Sequence, residues 1–161
     1  MQFKIFRTFI LFLPLTLSAA ENSQQATYWS KDDLDRYKTM LAEQVGNNHS
    51  AVADRIIDYD NYFAAMVYRE PGSSLYEAHA EWVDVYMVSD GQGILTVGGA
   101  LTEVTEVSPG EFRGSSIVGG TDQLISEGDI VHIPVNSPHT VSVAEGETIT
   151  YFILKVKDSG N

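Results

Sequence analysis

The first regular pattern of hydrophobic and polar positions after residue 20 predicts one amphipathic α-helix. Hydrophobic side chains recur there at helical spacing: Leu34, Tyr37, Leu41 and Val45. Ser30 is a favourable N-cap, and Asp32 and Asp33 follow it where the helix dipole favours acidic side chains. Gly46 ends the run. We expect this helix to cover one end or one face of the rest of the molecule.

From about Asn61 onward the pattern changes to short runs of Val, Ile, Tyr, Phe and Thr separated by glycine-containing turns. These runs predict strands at residues 62–68, 74–79, 82–88, 93–97, 101–104, 122–125, 129–133, 139–143 and 148–156. Residues 106–120 are interpreted as a long loop or a loose hairpin. This segment either contributes to ligand specificity or is a solvent-exposed loop without such a role. The pattern therefore indicates an all-β domain, either a sandwich or a small barrel, that follows one N-terminal helix in the sequence.

The first twenty residues have the pattern of a secretory signal peptide. Lys4 and Arg7 precede an apolar run at 9–17, and small residues ending at Ala20 follow it. A transmembrane anchor needs about 20 uninterrupted apolar residues. This run is shorter and contains Pro14. We expect cleavage after Ala20, within one residue, and export to the periplasm or the extracellular space.

The chain is thereby divided into three parts. Residues 1–20 are the signal peptide, residues 21–60 hold the helix and a lead-in segment, and residues 61–161 form the barrel domain. A chain of 161 residues fits one domain of this kind.

The acidic composition excludes several classes of partner. The chain has 22 Asp and Glu against 10 Lys and Arg, a formal charge of −12, and loss of the signal peptide with its two positive charges lowers this to −14. Such a field repels nucleic-acid phosphates and anionic lipids, so we expect no nucleic acid and, for the mature form, no membrane as partner. Because the chain has no cysteine, disulfides, thiol chemistry and a lipoprotein anchor are excluded.

Two short arrangements concentrate the candidate chemistry, namely Glu77-x-His79-x4-Asp84-x6-Gly91 and Gly128-x5-Pro134-x-Asn136-x2-His139. In the first, Glu77 and His79 alternate onto one face of a strand, Asp84 lies beyond a turn or bulge, and Gly91 is predicted to end the hairpin. In the second, a strand enters a tight turn and returns with His139 at the head of the next strand.

These arrangements resemble the two motifs of the cupin superfamily. Motif 1 has His-x-His followed by Glu and Gly, and motif 2 has Gly, Pro-x-Gly and then His. The correspondence places His79 on the second histidine of motif 1, Asp84 on its Glu, and His139 on the histidine of motif 2. Glu77 stands in place of the first histidine, and Asn136 in place of the motif-2 glycine. Asn is the non-glycine residue best able to adopt a left-handed turn conformation.

The resemblance covers residues 62–157 and implies a small antiparallel jelly-roll barrel with both motifs directed inward. It also implies a site for a divalent ion, iron, manganese, nickel or zinc, held by His79 and His139 with the carboxylates of Glu77 and Asp84. Because the family commonly uses three His and one Glu, this oxygen-richer set either holds a metal more weakly, prefers another metal, or holds none. In the last case the histidines are structural and the carboxylates are solvated.

Each of the remaining candidates has two interpretations. Tyr86 shares the strand face of Asp84 and is either an acid–base or orienting hydroxyl or a buried core aromatic. Glu81 is either a proton-transferring group or a residue at the rim of the turn. His132 is either a hydrogen-bond donor behind the pocket or a surface residue of its strand. Arg113 either meets an anionic ligand or forms a surface salt bridge.

Two functions remain open. One is a metal-dependent cupin enzyme, a dioxygenase, lyase or isomerase acting on a small molecule, with Tyr86 or Glu81 moving protons. The other is a cupin that binds a small ligand or a metal without turnover. Small cupins commonly dimerise through their sheets, and Val83, Val85 and Met87 lie on the outer face of one strand. A homodimer is therefore expected by analogy.

Overall fold

The computed structural model describes residues 26–45, 51–72 and 75–160. The predicted signal peptide, Gly46 and residue 74 lie outside these ranges. The elements are α1 (Lys31–Gln44), β1 (Ala51–Asp58), β2 (Tyr62–Arg69), β3 (Tyr76–His79), β4 (Trp82–Val97), β5 (Ala100–Thr102), β6 (Thr105–Ser108), β7 (Glu111–Gly114), β8 (Ser116–Val118), β9 (Thr121–Ser126), β10 (Ile130–Ile133), β11 (His139–Ser142) and β12 (Ile149–Lys157).

Helix α1 begins where the sequence predicted and covers one face of the sheet. The Ser30 hydroxyl accepts a hydrogen bond from the Asp33 N–H, and the Asp33 carboxylate accepts one from the Ser30 N–H at 2.8 Å. The fully buried Leu41 packs with Met66 and Tyr68 of β2. Among the described residues, no helix is both long enough and apolar enough to cross a bilayer.

The strands form a small antiparallel jelly-roll barrel, as predicted. They follow the order β1–β2–β12–β4–β11–β3–β7–β6, and β9 and β10 also pair with β4. A separate ribbon joins β5 to β8. Strand β1 was not predicted: it lies in the lead-in segment and pairs with β2, with a bulge between Arg55 and Ile57. None of its residues is fully buried, so its sequence lacks a clear alternation.

One strand of 16 residues, β4, replaces the two strands predicted at 82–88 and 93–97. Its first half pairs with β10 and β12, and its second half pairs with β9 and β11. The strand passes Gly91 at a φ of +75°, and a Cβ there would overlap the Thr148 carbonyl group of the segment before β12. Gly91 therefore allows a close approach of two backbone segments within a continuous strand. The prediction that it ends a hairpin is wrong.

The segment predicted as a long loop or loose hairpin at 106–120 contains a hairpin. Strands β6 and β7 pair with each other, and β7 also pairs with β3. This second pairing sets Arg113 opposite Glu77 and Glu111 opposite His79. Because directly paired residues share a face of the sheet, the segment supplies two charged side chains to the same surface as the predicted ligands.

The barrel interior is filled by large side chains. Along β12, the inward positions Ile149, Tyr151 and Ile153 alternate with outward positions such as Phe152, which packs toward the helix. The Tyr151 ring stacks on the buried Tyr86, with 4.8 Å between the ring centroids. These rings form the floor beneath the cluster of polar side chains described below.

The outer face of β4 is partly uncovered in the single chain. Val83 and Val85 are half-buried, and Met87, paired with the exposed Ile130 of β10, is 38% exposed. The homodimer expected for this face stays a prediction.

Candidate metal centre

Two connected turns bring the predicted ligands together. Asn136 has a φ of +60°, the left-handed conformation expected from its place in the motif. Its N–H donates to the carbonyl oxygen of His79 at 2.7 Å. This bond ties the turn before β11 to the end of β3, and His139 then pairs directly with Glu77 across the two strands.

The four predicted ligand side chains converge inside the barrel. His139 Nε2 lies 3.5 Å from Glu77 Oε1 and 3.4 Å from Asp84 Oδ2. His79 Nε2 lies 3.9 Å from Glu77 Oε2 and 3.6 Å from Asp84 Oδ2. All four residues are buried, and Asp84 has no solvent exposure. Solvated carboxylates, one of the alternatives above, do not describe this arrangement.

Both imidazole rings are oriented through their other nitrogen. His79 Nδ1 lies 2.7 Å from Glu111 Oε2, and His139 Nδ1 lies 2.9 Å from the carbonyl oxygen of Ser137. Each Nδ1 can donate its proton to these oxygens, which leaves Nε2 directed at the centre of the cluster. A ring nitrogen held in this way by a carboxylate or a backbone carbonyl is typical of histidines that bind metals.

Lys155 of β12 completes the cluster. Its Nζ lies 2.6 Å from His79 Nε2 and 2.9 Å from Asp84 Oδ1, and its side chain is only 12% exposed. A lysine ammonium has donors and no acceptor, so His79 Nε2 must be the acceptor of this hydrogen bond. The His79 proton is therefore on Nδ1, facing Glu111.

Arg113 holds two of the carboxylates from the side of the hairpin. Its Nη2 lies 3.1 Å from Glu77 Oε2, and its Nη1 lies 3.8 Å from Glu111 Oε2. The side chain is 29% exposed, so it is neither a surface salt bridge nor a fully buried one. It therefore places a positive charge beside the carboxylates of Glu77 and Glu111.

The charges of the cluster move the pKa values of its members in opposite directions. Burial opposes ionisation of Glu77, but contact with His139 and the charges of Lys155 and His79 outweigh it and lower its pKa to about 2. Burial and contact with His139 likewise compete at Asp84, and its pKa is lowered. Burial also opposes the charged form of His139, but Asp84 and Glu77 raise its pKa to about 9. Burial, and then the Lys155 charge, lower the pKa of His79.

Without an ion the cluster therefore balances its own charge near neutral pH. His139 carries a proton and His79 does not. The three formal negative charges, on Glu77, Asp84 and Glu111, face three positive charges, on Arg113, Lys155 and His139. A metal ion that binds here must consequently replace positive charge that is already present.

The donor set nevertheless fits a divalent ion. The donor atoms of Glu77, His79 and His139 all lie within 4.8 Å of one another. In the part of the chain that the structure describes, the buried His139 Nε2 has no hydrogen-bond partner. Two imidazole nitrogens with carboxylate oxygens suit iron, manganese, nickel or zinc.

A cavity of ≈ 450 Å³ opens beside the cluster. Its walls comprise cluster residues and side chains around the β1–β2 turn: Arg55, Asp58, Tyr59, Asp60, Phe63, Glu77, His79, Trp82, Glu111, Arg113 and Lys155. This volume is in the range of sites that hold small molecules. His79 and Glu77 line it, so a ligand in the cavity could contact the metal-binding residues.

The other predicted site residues lie at different distances from this centre. Tyr86 is buried beneath it, with its hydroxyl 3.4 Å from Asp84 Oδ2, and burial raises its pKa well above the usual value. Glu81 is exposed and pairs with Lys157 at 3.0 Å, outside the cluster. His132 is exposed on β10, opposite Val85 of β4.

Two residues of the cluster, Lys155 and Glu111, were missed by sequence reasoning. Lys155 continues the inward parity of Tyr151 and Ile153 along the last strand, and this was a usable signal. Glu111 lay in the segment interpreted as a loop or loose hairpin, where no strand face could be assigned.

Comparison with solved structures identifies the architecture. The protein is similar to a Klebsiella pneumoniae protein with a double-stranded β-helix domain, at 12% identity, 85% coverage of this chain, 95% coverage of that chain and a TM-score of 0.57. The double-stranded β-helix is the jelly roll of the cupins. The chain has the cupin fold.

Two further solved structures resemble this cupin barrel. One is a cupin-like protein from Thermotoga maritima, with 18% identity over 66% of this chain and 68% of that chain, at a TM-score of 0.48. The other is a polyketide cyclase from Streptomyces resistomycificus, with 16% identity over 66% of this chain and 65% of the cyclase, at a TM-score of 0.49. These similarities concern the fold alone. No protein-family model matches the sequence, and comparison with curated proteins finds no relative.

Proposed function

We propose that this cupin binds one divalent first-row metal ion through Glu77, His79 and His139, with Asp84 as an additional oxygen ligand, and presents it to a small molecule in the adjacent cavity. The observation that carries the proposal is the orientation of the two imidazoles. Glu111 and the Ser137 carbonyl hold both Nδ1 atoms, so both Nε2 atoms point at the same buried carboxylates.

The chain's own residues would bind the ion, orient the two imidazoles and neutralise the charge of the carboxylates. When bound, the ion would supply Lewis-acid or oxygen-activating chemistry, as a lyase, isomerase or dioxygenase requires. Arg113 would balance the charge of Glu77 and Glu111 at the cavity wall. Tyr86 lies behind Asp84 and outside the cavity lining. We therefore assign it the positioning of that carboxylate rather than contact with a substrate.

We assign the exposed Glu81 no proton-transferring role. Its carboxylate pairs with Lys157, and the cavity lining does not include it. His132, on the outer face of the barrel wall, likewise has no role in this proposal.

The second candidate is a cupin that binds a small ligand without turnover. The position of Lys155 favours this candidate, because its ammonium already contacts His79 and Asp84 and supplies one of the positive charges that offset the carboxylates of the cluster. In that case the cavity would bind a ligand, and the role of the two histidines would be structural.

Metal analysis separates the two candidates. The mature protein, purified without a histidine tag, is incubated in turn with Fe²⁺, Mn²⁺, Ni²⁺ and Zn²⁺, desalted and analysed by mass spectrometry of the elements. We expect about one equivalent of at least one of these ions per chain. An occupancy below about a tenth of an equivalent for all four would exclude the metal centre and leave the second candidate.

We also propose that the protein acts outside the cytoplasm. The proposal is supported by residues 1–20, whose charged, apolar and small-residue segments have the pattern of a secretory signal peptide. Expression of the full chain in a bacterial host should yield a processed protein in the periplasmic or extracellular fraction. Its first residue, read by amino-terminal sequencing, should be Glu21, within one residue. An unprocessed chain retained in the cytoplasm would contradict the proposal.

A further inference from the structure

The position of Lys155 has a consequence for the proposed metal site. An imidazole nitrogen has a single lone pair in the plane of its ring, and a neutral histidine offers it on only one nitrogen. In His79 that nitrogen is Nε2, since Nδ1 faces Glu111. The ammonium of Lys155 already donates into this lone pair at 2.6 Å.

A metal ion needs the same lone pair. An ion bound to imidazole lies about 2.0–2.1 Å from the nitrogen, along the direction that the Lys155 ammonium now occupies. The ammonium also lies 2.9 Å from Asp84 Oδ1, so it holds part of the oxygen donor set as well. One atom of Lys155 therefore contacts one nitrogen and one oxygen donor of the centre.

We propose that Lys155 is an internal cation that competes with the divalent ion, and that the ion binds only when the Lys155 ammonium leaves His79 and Asp84. This inference rests on the proposed metal-binding function and concerns its control. Lys155 then sets the free concentration of the ion that is needed to occupy the site.

The fold provides a place for the displaced side chain. Lys155 lies near the end of β12, directly opposite Asp84 of β4 on one side and Phe63 of β2 on the other. Its side chain lines the cavity, whose ≈ 450 Å³ can accept an ammonium group together with its water. A rotation of the flexible four-carbon stem is enough to move the charge from the cluster into this space.

The first test compares the metal affinity of the wild type with that of Lys155→Met. Methionine keeps an unbranched apolar side chain and removes the ammonium. We expect Zn²⁺ and Mn²⁺, titrated by calorimetry, to bind Lys155→Met about 10-fold or more tightly than the wild type, because no cation has to be displaced from the donors. Lys157→Met is the matched control, since Lys157 belongs to the same strand and pairs with Glu81 at the surface. Its affinity should stay within about twofold of the wild type.

The second test uses the wild-type protein alone and does not depend on a variant that folds. The rate at which an acetylating reagent modifies each lysine amine is measured by mass spectrometry with and without Zn²⁺. The Lys155 amine is buried in the cluster without the ion, so its modification should become several-fold faster when the ion displaces it into the cavity. The Lys157 amine is the internal reference and should not change.

The outcomes separate this inference from the function on which it rests. Equal or weaker binding by Lys155→Met, or a Lys155 amine whose reactivity the ion leaves unchanged, would overturn the competition while leaving a wild-type metal site in place. Binding by Lys155→Met but not by the wild type would establish the competition and overturn the proposed metal-binding function of the natural chain. Absence of binding in both proteins would overturn both proposals.

Discussion

Replacement of His139 by glutamine should lower the affinity for divalent ions by about 100-fold or more and leave the barrel folded. His139 supplies one of the two nitrogen donors, and its Nε2 has no hydrogen-bond partner among the described residues. Glutamine retains a polar side chain of similar size, so it can fill the buried space without an imidazole nitrogen. The affinity is measured by calorimetric titration with Zn²⁺, and the fold by circular dichroism and by cooperative unfolding.

His132→Gln is the matched control for this prediction. It makes the same chemical change at an exposed position of β10, on the outer face of the barrel wall. Its metal affinity should stay within about twofold of the wild type. Unchanged affinity in His139→Gln, with a folded barrel, would show that any bound ion lies elsewhere.

The largest effect on stability is expected from Gly91→Ala. The new Cβ would overlap the Thr148 carbonyl oxygen and lie 2.9 Å from its carbon, and the φ of +75° disfavours any L side chain. Relief of this overlap requires β4 to move away from the segment that leads into β12. We expect a loss of about 3 kcal/mol or more in the free energy of unfolding, measured by guanidinium denaturation followed by tryptophan fluorescence.

Gly128→Ala is the control that measures the cost of a left-handed backbone conformation without a steric overlap. Gly128 also has a left-handed φ, +91°, but a Cβ there would meet no atom within 4 Å. Its substitution should cost only about 1 kcal/mol. Equal losses in the two variants would contradict the close approach of β4 at Gly91 to the segment that contains Thr148.

The predicted metal ligands were accessible to sequence reasoning because they lie in two short segments that resemble the cupin motifs. Glu77 and His79 fall on one face of a strand through the two-residue alternation of any strand. Asn136 stands in the place of the motif-2 glycine, where its side chain still permits a left-handed turn, and the structure confirms this conformation with a φ of +60°. The helix was equally accessible, since Ser30 and Asp33 form its cap within four residues of each other.

Elements whose form depends on a distant neighbour were predicted less well. The strand end expected at Gly91 does not occur, because β4 has pairing partners on both sides along its length, and these hold it as one strand. Strand β1 has no fully buried residue, so only its pairing with β2 defines it. The segment at 106–120 showed no strand face until its pairing with β3 was known.

The sequence by itself determined the chemical types available, which are imidazole and carboxylate without thiolate. It also determined that Glu77 and His79 share one face of a strand, and that a tight turn precedes His139. Only the tertiary structure decided what surrounds them. Lys155 is 76 residues from His79 along the chain, and its ammonium reaches the ring nitrogen because β12 pairs with β4. Side-chain parity is a property of one strand, whereas the choice of neighbouring strands depends on the burial of the whole barrel. The same local pattern can therefore present its histidines to a metal ion or to a lysine.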